Sequence, residues 1–145
     1  MVDVQAEVVI DRPRAVVAAY AANPDNAPTW YRNIRSAHRR TEGPLTVGSL
    51  VGFTAHFLGR KLTYVYEVTQ FAPEERLVMR TSEGPFPMET TYTWTTVAGG
   101  VTRMTLRNRG EPRGFSRVAA PFLSTMMRAA NRKDLENIKR ILEGA

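Results

Sequence analysis

Few side chains in this sequence are of the types that carry out covalent or metal-assisted chemistry. Cysteine is absent, which excludes disulfides, thiolate catalysis and every cysteine-based metal site. The only histidines, His38 and His56, are far apart in sequence and have no partner at a metal-ligand spacing. No serine stands in a G-x-S-x-G sequence, and no glycine-rich phosphate loop follows a predicted strand. We therefore expect no metal and no cofactor, and the sequence identifies no catalytic residue.

The remaining titratable candidates lie on predicted strands and do not converge. His56 is expected to face solvent, opposite its aromatic neighbours, whereas His38 shares a strand face with Ile34 and could point inward. Glu67 alternates with apolar neighbours and is expected to face outward, and Glu89 is expected at a pocket rim. General acid–base catalysis needs such groups to meet in one pocket with shifted pKa values. The sequence offers no convergent pair.

Aromatic and methionine side chains are the residues whose spacing points to a binding function. Tyr64 and Tyr66 share one face of a period-two strand, as do Tyr92 and Trp94. Such side chains either fill a solid core or line a pocket. For the set as a whole we favour a pocket, because methionine and aromatic rings adapt to flat apolar ligands. The candidate lining residues are Trp30, Phe53, Phe57, Tyr64, Tyr66, Met79, Met88, Tyr92, Trp94, Met104, Phe115, Phe122 and Met126.

The affinity of such a pocket would come mainly from apolar burial. Burying about 200 Å² of apolar ligand surface contributes about 5 kcal/mol before the costs of association.

The wider aromatic and methionine set also includes Tyr31, Phe86 and Met127. Selectivity would come from a few hydroxyl groups, those of Tyr64, Tyr66, Thr81, Thr90 and Tyr92.

A β-sheet must position these side chains, because the hydrophobic period is two over most of the chain. Residues 2–10 alternate, with Val2 and Val4 on one face and Asp3 and Glu7 on the other. The other predicted strands span residues 34–41, 49–58, 61–71, 76–82, 88–97 and 101–109. Their connections are short and contain glycine, which predicts hairpins and an antiparallel meander. With the first strand, the sheet has seven strands.

Helical spacing is found after the first strand and at the end of the chain. Asp11 is predicted to cap a short helix with Pro13 in its first turn, and Asn23 or Asp25 to cap a second short helix. The final helix is about 25 to 30 residues long, and Pro121 predicts a kink or a break near its start. Its apolar face is expected to contain Phe115, Val118, Ala119, Phe122, Met126, Ala129, Ala130, Leu135, Ile138, Ile141 and Leu142.

Composition and charge indicate one globular domain spanning residues 1–145. The chain carries 20 basic and 14 acidic residues, a net charge of +6, but the basic residues form no block. Arg103, Arg107 and Arg109 share one strand face and are expected on the solvated side of the sheet. Nucleic acid is therefore disfavoured as a partner. No membrane span or export signal is evident, so we expect a cytoplasmic protein that is a monomer or a homodimer.

A curved sheet that grips one long helix leaves space between them, and function would reside in that space. Characteristic segments run along the whole chain: VVIDRP at 8–13, VVAAY at 16–20, NPDNAPTW at 23–30, VGS at 47–49, YEVTQFAP at 66–73, RLVMR at 76–80 and GGVTRMTL at 99–106. In these segments the chain resembles the START-like or Bet v 1-like superfamily, also called SRPBCC or the helix-grip fold. More narrowly it is similar to the bacterial polyketide cyclase/dehydrase and lipid-transport family. The resemblance implies an α+β fold with an internal cavity for apolar or aromatic molecules.

Three functions remain open at this point. The first is binding or transport of a small hydrophobic or aromatic molecule, such as a lipid or a polyketide-like compound. The second is a polyketide cyclase or aromatase, which requires a titratable group inside the cavity near a hydroxyl or an arginine. The third is a protein- or nucleic-acid-interaction module that uses the basic surface. We favour the first.

Overall fold

Seven antiparallel strands form one sheet in the computed structural model, which describes residues 2–57, 59–84, 87–111 and 120–144. The strands are β1 (Val2–Ile10), β2 (Ile34–Arg39), β3 (Leu50–Phe57), β4 (Arg60–Ala72), β5 (Arg76–Glu83), β6 (Met88–Ala98) and β7 (Val101–Gly110). Their order across the sheet is β1-β7-β6-β5-β4-β3-β2. The predicted sheet is confirmed: the meander from β2 to β7 is continuous, and β1 adds to its far edge beside β7.

One face of the sheet carries the core. Leu77, Trp94, Met104 and Leu106 are almost completely buried there, and Val68 is fully buried on β4. Because successive residues of a strand point to opposite faces, the exposed neighbours of these residues, such as Glu67 and Arg103, lie on the outer face.

The outer face carries ion pairs rather than a free basic patch. Arg107 Nη2 lies 2.6 Å from Asp3 Oδ2, and Arg103 Nε lies 3.4 Å from Glu7 Oε2. Arg109 makes a similar pair with a glutamate of β6 at 3.3 Å. Each pair joins β7 to a neighbouring strand. Arg109 lies directly opposite Glu89, whereas the pairs to β1 are diagonal across the ladder, within reach of a long arginine side chain. The arginines thus lie on the solvated face, as expected, and their charges are matched locally.

The short helices are α1 (Arg14–Ala22) and α2 (Ala27–Trp30), with a turn of 3₁₀-helix at Pro24–Asn26 between them. The predicted Asp11 cap is wrong. Pro13 occupies the N-cap position of α1 and makes no side-chain capping bond, whereas the Asp11 backbone N–H donates to Glu143. Asn23 caps the 3₁₀ turn rather than α2: its side-chain oxygen accepts from the Asp25 N–H at 3.0 Å, whereas Asn26 occupies the N-cap position of α2 and makes no side-chain capping bond.

The long C-terminal helix is α3 (Ala120–Glu143). The kink or break predicted near Pro121 concerns residues 112–119 as well, and these lie outside the described residues. The expected apolar face is wrong in the N-terminal half of α3, because Phe122 is 63% exposed and Ala129 is exposed. The buried face instead contains Leu123, Asn131, Asp134, Leu135, Ile138 and Leu142.

The set of buried residues along α3 follows from its being one uninterrupted helix over the described residues. Leu135, Ile138 and Leu142 are buried at the C-terminal end, and a period of 3.6 residues extended backwards from them reaches Asn131 and Leu123. Phe122 lies about 100° around the helix from Leu123, so it faces solvent. Residues 115, 118 and 119 of the predicted face lie outside the described residues.

Polar contacts fix the C-terminal half of α3 to the rest of the molecule. Glu143 accepts from the Asp11 N–H at 2.7 Å and from Lys139 Nζ at 2.6 Å, and Lys139 also donates to the Val9 carbonyl at 2.7 Å. Asn137 Nδ2 donates to the carbonyl oxygens of Thr29 and Trp30. These bonds hold α3 against the end of β1 and against α2. Within the described residues, no helix combines the length and the apolarity that a bilayer span requires.

Candidate functional site

A partly open pocket of about 130 Å³ lies between the inner face of the sheet and α3. The sheet contributes side chains from β2 to β7, α3 contributes one face, and the connection between α2 and β2 contributes Tyr31 and Asn33. The lining residues are Tyr31, Asn33, Ile34, Phe53, Ala55, Leu62, Tyr64, Tyr66, Met79, Thr81, Met88, Thr90, Tyr92, Asn108, Met127, Ala130, Asn131 and Asp134. The wall is mostly apolar and aromatic, with a small polar group at α3.

Six of the candidate lining residues lie on this pocket. They are Phe53, Tyr64, Tyr66, Met79, Met88 and Tyr92. All six lie on strands whose period of two brings them to the inner face, where the rings pack edge to face. The ring centroids of Phe53 and Tyr66 are 5.6 Å apart, as are those of Tyr64 and Tyr66. Of the hydroxyl groups expected to give selectivity, those of Thr81 and Thr90 also lie on the pocket wall.

The other candidates lie elsewhere. Trp30, Trp94 and Met104 are buried in the core and do not line the pocket. Phe122 is exposed, and Met126 is half-buried but turned away from the lining set, because the true inner face of α3 passes through Met127. Phe115 and the side chain of Phe57 lie outside the described residues.

Two tyrosine hydroxyls meet at one end of the pocket. The hydroxyl oxygens of Tyr31 and Tyr92 are 2.5 Å apart and share a hydrogen bond. Burial raises the pKa of both hydroxyls, and the nearby carboxyl group of Asp134 raises them further. Trp30 packs against both tyrosines, with its ring centroid 4.0 Å from that of Tyr31 and 5.8 Å from that of Tyr92. Both tyrosines are therefore neutral hydroxyl groups at physiological pH.

Asp134 is the one carboxyl group among the described residues that line the pocket. Its residue is only 3% exposed, and burial raises the pKa of the carboxyl to about 6. The Arg32 N–H donates to its Oδ1 at 3.0 Å, which opposes part of that rise by stabilising the charged form. A carboxyl with this pKa exchanges its proton near neutral pH.

A chain of hydrogen bonds runs across the sheet to α3. The hydroxyl of Tyr66 lies 3.2 Å from Thr90 Oγ1, and Thr90 donates to Asn108 Oδ1 at 2.6 Å. Asn108 Nδ2 in turn donates to Asn131 Oδ1 at 3.0 Å. Asn131 is 4% exposed, and its Nδ2 is buried without a hydrogen-bond partner. All four residues of this relay line the pocket.

The polar end of the pocket was missed by the sequence analysis, although the sequence carries a signal for it. Met127, Asn131, Asp134 and Ile138 follow one another at spacings of four, three and four residues, the period of a buried helix face. Asn131 and Asp134 therefore interrupt an apolar stripe at positions that must be buried. Polar residues at such positions indicate a network or a site.

The titratable residues considered earlier lie outside the pocket. His38 is exposed, so the possibility that it points inward is wrong. His56 and Glu67 are exposed, as expected, and Glu89 forms its ion pair with Arg109. Among the described residues, no cluster of three histidine, aspartate or glutamate side chains is arranged to hold a metal ion.

A family model shows the family to which this chain is related. The family model described as polyketide cyclase/dehydrase and lipid transport matches residues 1–143. No curated protein sequence matches significantly.

Three solved structures illustrate the likeness in fold. TTHA0849 from Thermus thermophilus superposes with a TM-score of 0.83 at 20% identity, covering 99% of each chain. The Zhui aromatase/cyclase from Streptomyces sp. R1128 gives 0.78 at 16% identity, covering 97% of this chain and 93% of that one. A START superfamily protein from Mycobacterium smegmatis gives 0.78 at 14% identity, with coverages of 98% and 94%. At these identities the likeness concerns the fold, and it confirms the predicted helix-grip architecture.

Proposed function

The chain belongs to the polyketide cyclase/dehydrase and lipid transport family, and from this premise we propose that it binds a small hydrophobic or aromatic molecule in the pocket between the sheet and α3. The observation that carries the proposal is the pocket itself. Its wall is mainly aliphatic, aromatic and methionine side chains, and its polar groups include the Tyr31–Tyr92 hydroxyl pair and the Asp134 carboxyl. Such a concave, mostly apolar site with a few convergent polar groups is typical of small-molecule binding.

The volume of the pocket limits the size of the ligand. An apolar cavity of about 150 Å³ is large enough to hold benzene, and this pocket measures about 130 Å³ and is partly open. It therefore takes one ring inside and part of a second ring toward the opening. Tetralin, a fused bicyclic hydrocarbon, matches this size and is a suitable probe for lipid-like or polyketide-like guests.

The experiment is a calorimetric titration with tetralin of the wild type and of two matched variants. Ala130 lines the pocket, and the neighbouring Ala129 is exposed on the same helix. Ala130→Phe adds a ring to the pocket and should weaken tetralin binding at least about tenfold, because the guest loses its space. Ala129→Phe adds the same ring to the surface and should bind like the wild type. The proposal is wrong if the wild type does not bind tetralin, or if both variants bind it equally well.

A second candidate function is catalysis of the cyclase/aromatase type, favoured by the position of Asp134. This carboxyl lies in the pocket with a pKa of about 6, close to the hydroxyls of Tyr31 and Tyr92. Its carboxylate can remove a proton from a carbon between two carbonyl groups, and the enolate carbon then forms a bond to another carbonyl carbon. The resulting alkoxide takes up a proton and becomes a hydroxyl group. The former enolate carbon then loses its second proton to the carboxylate, its C–H electrons form a C=C bond as the C–O bond breaks, and the departing hydroxide takes a proton and leaves as water. Asp134 is the general acid–base in this scheme.

Deuterium exchange at the central carbon of benzoylacetone tests this second function. The wild type should accelerate exchange above the buffer rate, and Asp134→Asn should lower that acceleration at least about a hundredfold, because the base is lost. Asp25→Asn, which changes an exposed carboxyl, is the matched control and should retain full activity. Tetralin binding by Asp134→Asn serves as a control for the pocket. If this variant still binds tetralin, its slower exchange reflects loss of the base and not loss of the pocket. Equal exchange rates in the wild type and Asp134→Asn would exclude this role for Asp134.

A further inference from the structure

The direction of the hydrogen-bond relay is determined by Thr90. The Thr90 hydroxyl has one proton, and it donates that proton to Asn108 Oδ1. Toward Tyr66 it can therefore only accept, so the Tyr66 hydroxyl is the donor in that contact. Asn108 accepts through its oxygen and donates through Nδ2 to Asn131 Oδ1. Each bond fixes the orientation of the next group, and the direction is Tyr66 to Thr90 to Asn108 to Asn131.

The last member of the relay keeps an unused donor. Asn131 Oδ1 is taken by Asn108, so the amide is oriented with its NH₂ group away from the relay. That Nδ2 has no partner, although its residue is only 4% exposed and lines the pocket. A buried amide donor without a partner costs free energy. A ligand atom that accepts from it would remove that cost.

The surroundings of Asn131 limit the charge of the acceptor. Asp134 lies less than one helical turn further along the same face, and no lysine or arginine is among the described residues that line the pocket. A carboxylate ligand would therefore meet the negative charge of Asp134, which the charge of Arg32 offsets only in part. A neutral carbonyl oxygen accepts equally well and avoids that repulsion.

We propose that Asn131 is a specificity-determining residue that donates a hydrogen bond to a neutral carbonyl oxygen, so that the pocket selects ketone-type aromatic compounds over hydrocarbons, alcohols and carboxylates of the same shape. This inference rests on the proposed ligand-binding function. It assigns a chemical class to the ligand and a residue to its recognition.

The test compares four probes with one bicyclic skeleton by calorimetry at about pH 8, where Asp134 is ionised. The probes are tetralin, α-tetralone, α-tetralol and tetralin carboxylate. The wild type should bind α-tetralone about three- to tenfold more tightly than tetralin, the advantage of one added hydrogen bond. It should bind α-tetralol less tightly than α-tetralone, and the carboxylate less tightly than tetralin.

Variants assign the ketone preference to Asn131. Asn131→Leu has no donor and should bind α-tetralone and tetralin within about twofold of each other. Glu136→Leu places the same side chain at an exposed position of α3 and should keep the full preference. If Asn131→Leu does not fold, the wild type provides the readout: α-tetralone should shift the assigned side-chain amide resonance of Asn131, and tetralin should leave it in place.

Each remaining outcome overturns the inference. Equal affinities of the wild type for tetralin and α-tetralone would remove the ketone subsite but leave the proposed binding function intact. A preference for α-tetralol would mean that Asn131 presents an acceptor, and retention of the ketone preference in Asn131→Leu would assign it to another residue. Carboxylate binding as tight as that of α-tetralone would contradict the requirement for a neutral group. Failure of every probe to bind would reject both the inference and the proposed function.

Discussion

Burial of two polar side chains on the inner face of α3 distinguishes this pocket from a plain apolar core. Asn131 keeps an unpartnered donor, and Asp134 is buried with a raised pKa. Leucine at either position would continue the apolar stripe and avoid the cost of burying a polar group. Groups that lower stability in this way are typical of functional sites. Both line the pocket, and the Asp134 carboxyl acts electrostatically on the hydroxyls of Tyr31 and Tyr92.

The raised pKa of Asp134 makes stability depend on pH in a defined direction. The ordinary pKa of 3.8 applies to the unfolded chain and about 6 to the folded protein. Between these values the folded state binds more protons, so the free energy of unfolding falls as pH rises and stays lower above pH 6. Asp134→Asn removes this term and should stabilise the protein by up to about 3 kcal/mol at neutral pH. Below the unfolded pKa the gain should disappear.

Urea denaturation of the wild type and Asp134→Asn, at pH values on both sides of this window, measures the effect. The difference in the free energy of unfolding between the two proteins should grow with pH. Titration of the other groups is common to both proteins and cancels in this difference. A constant difference, or one that shrinks with rising pH, would show that the Asp134 carboxyl is not held in its neutral form by burial.

The hydrogen-bond relay should contribute to stability mainly through Thr90. Thr90→Val keeps the shape of the side chain but leaves the Tyr66 hydroxyl and the Asn108 oxygen without their partner. We expect a loss of about 1–3 kcal/mol in the free energy of unfolding. Thr95→Val, an exposed change on the same strand, should alter it by less than about 0.5 kcal/mol. Equal effects of the two substitutions in denaturant titrations would contradict the relay.

At the scale of elements, the position of α3 defines the pocket. Its C-terminal half is held to β1 and α2 by Lys139, Asn137 and Glu143. Asn137 matters most for the site, because it holds the last carbonyl groups of α2 and Tyr31 follows directly. The pocket therefore depends on bonds made outside it.

Asn137→Ala should loosen this attachment. Loss of the two bonds to the carbonyl oxygens of Thr29 and Trp30 should lower the free energy of unfolding by about 1–2 kcal/mol. It should also change the fluorescence of Trp30, whose ring packs on Tyr31 and Tyr92. Glu136→Ala, an exposed neighbour on α3, should change neither quantity. Unchanged stability and fluorescence in Asn137→Ala would mean that α2 is held by other contacts.

The strands were predictable from sequence to within two residues, because alternation and hairpin glycines are local signals. The phase of α3 was not, since Phe122, Met126 and Ala129 form an apolar stripe of their own that competes with the true one. Asn131 and Asp134 concealed the true stripe by interrupting it. The curvature of the sheet over α3 determines which inner-face residues line the same cavity. This curvature is set by contacts between residues far apart in sequence, so the local sequence pattern does not reveal it.

At the scale of the whole molecule, the ion pairs of β7 and the pocket lie on opposite sides of the sheet. The outer arginines of β7 are paired with Asp3, Glu7 and Glu89, and exposed pairs of this kind contribute only about 0–1 kcal/mol each. Each of these three described arginines of β7 therefore has an acidic partner, although the net charge of the chain is +6. The inner face holds the apolar wall and the polar relay. This division favours a guest inside the molecule over a polyanion on this surface.

The methionine methyl groups offer the most direct measurement of where a guest binds. Met79, Met88 and Met127 line the pocket, whereas Met104 is buried in the core and Met126 lies outside the lining set. In NMR spectra of protein with isotope-labelled methionine methyl groups, tetralin should shift the first three resonances because its ring lies against them. The resonances of Met104 and Met126 should stay in place. Shifts confined to Met126, or no shift at any saturating concentration, would contradict the claim that a small apolar molecule occupies this pocket.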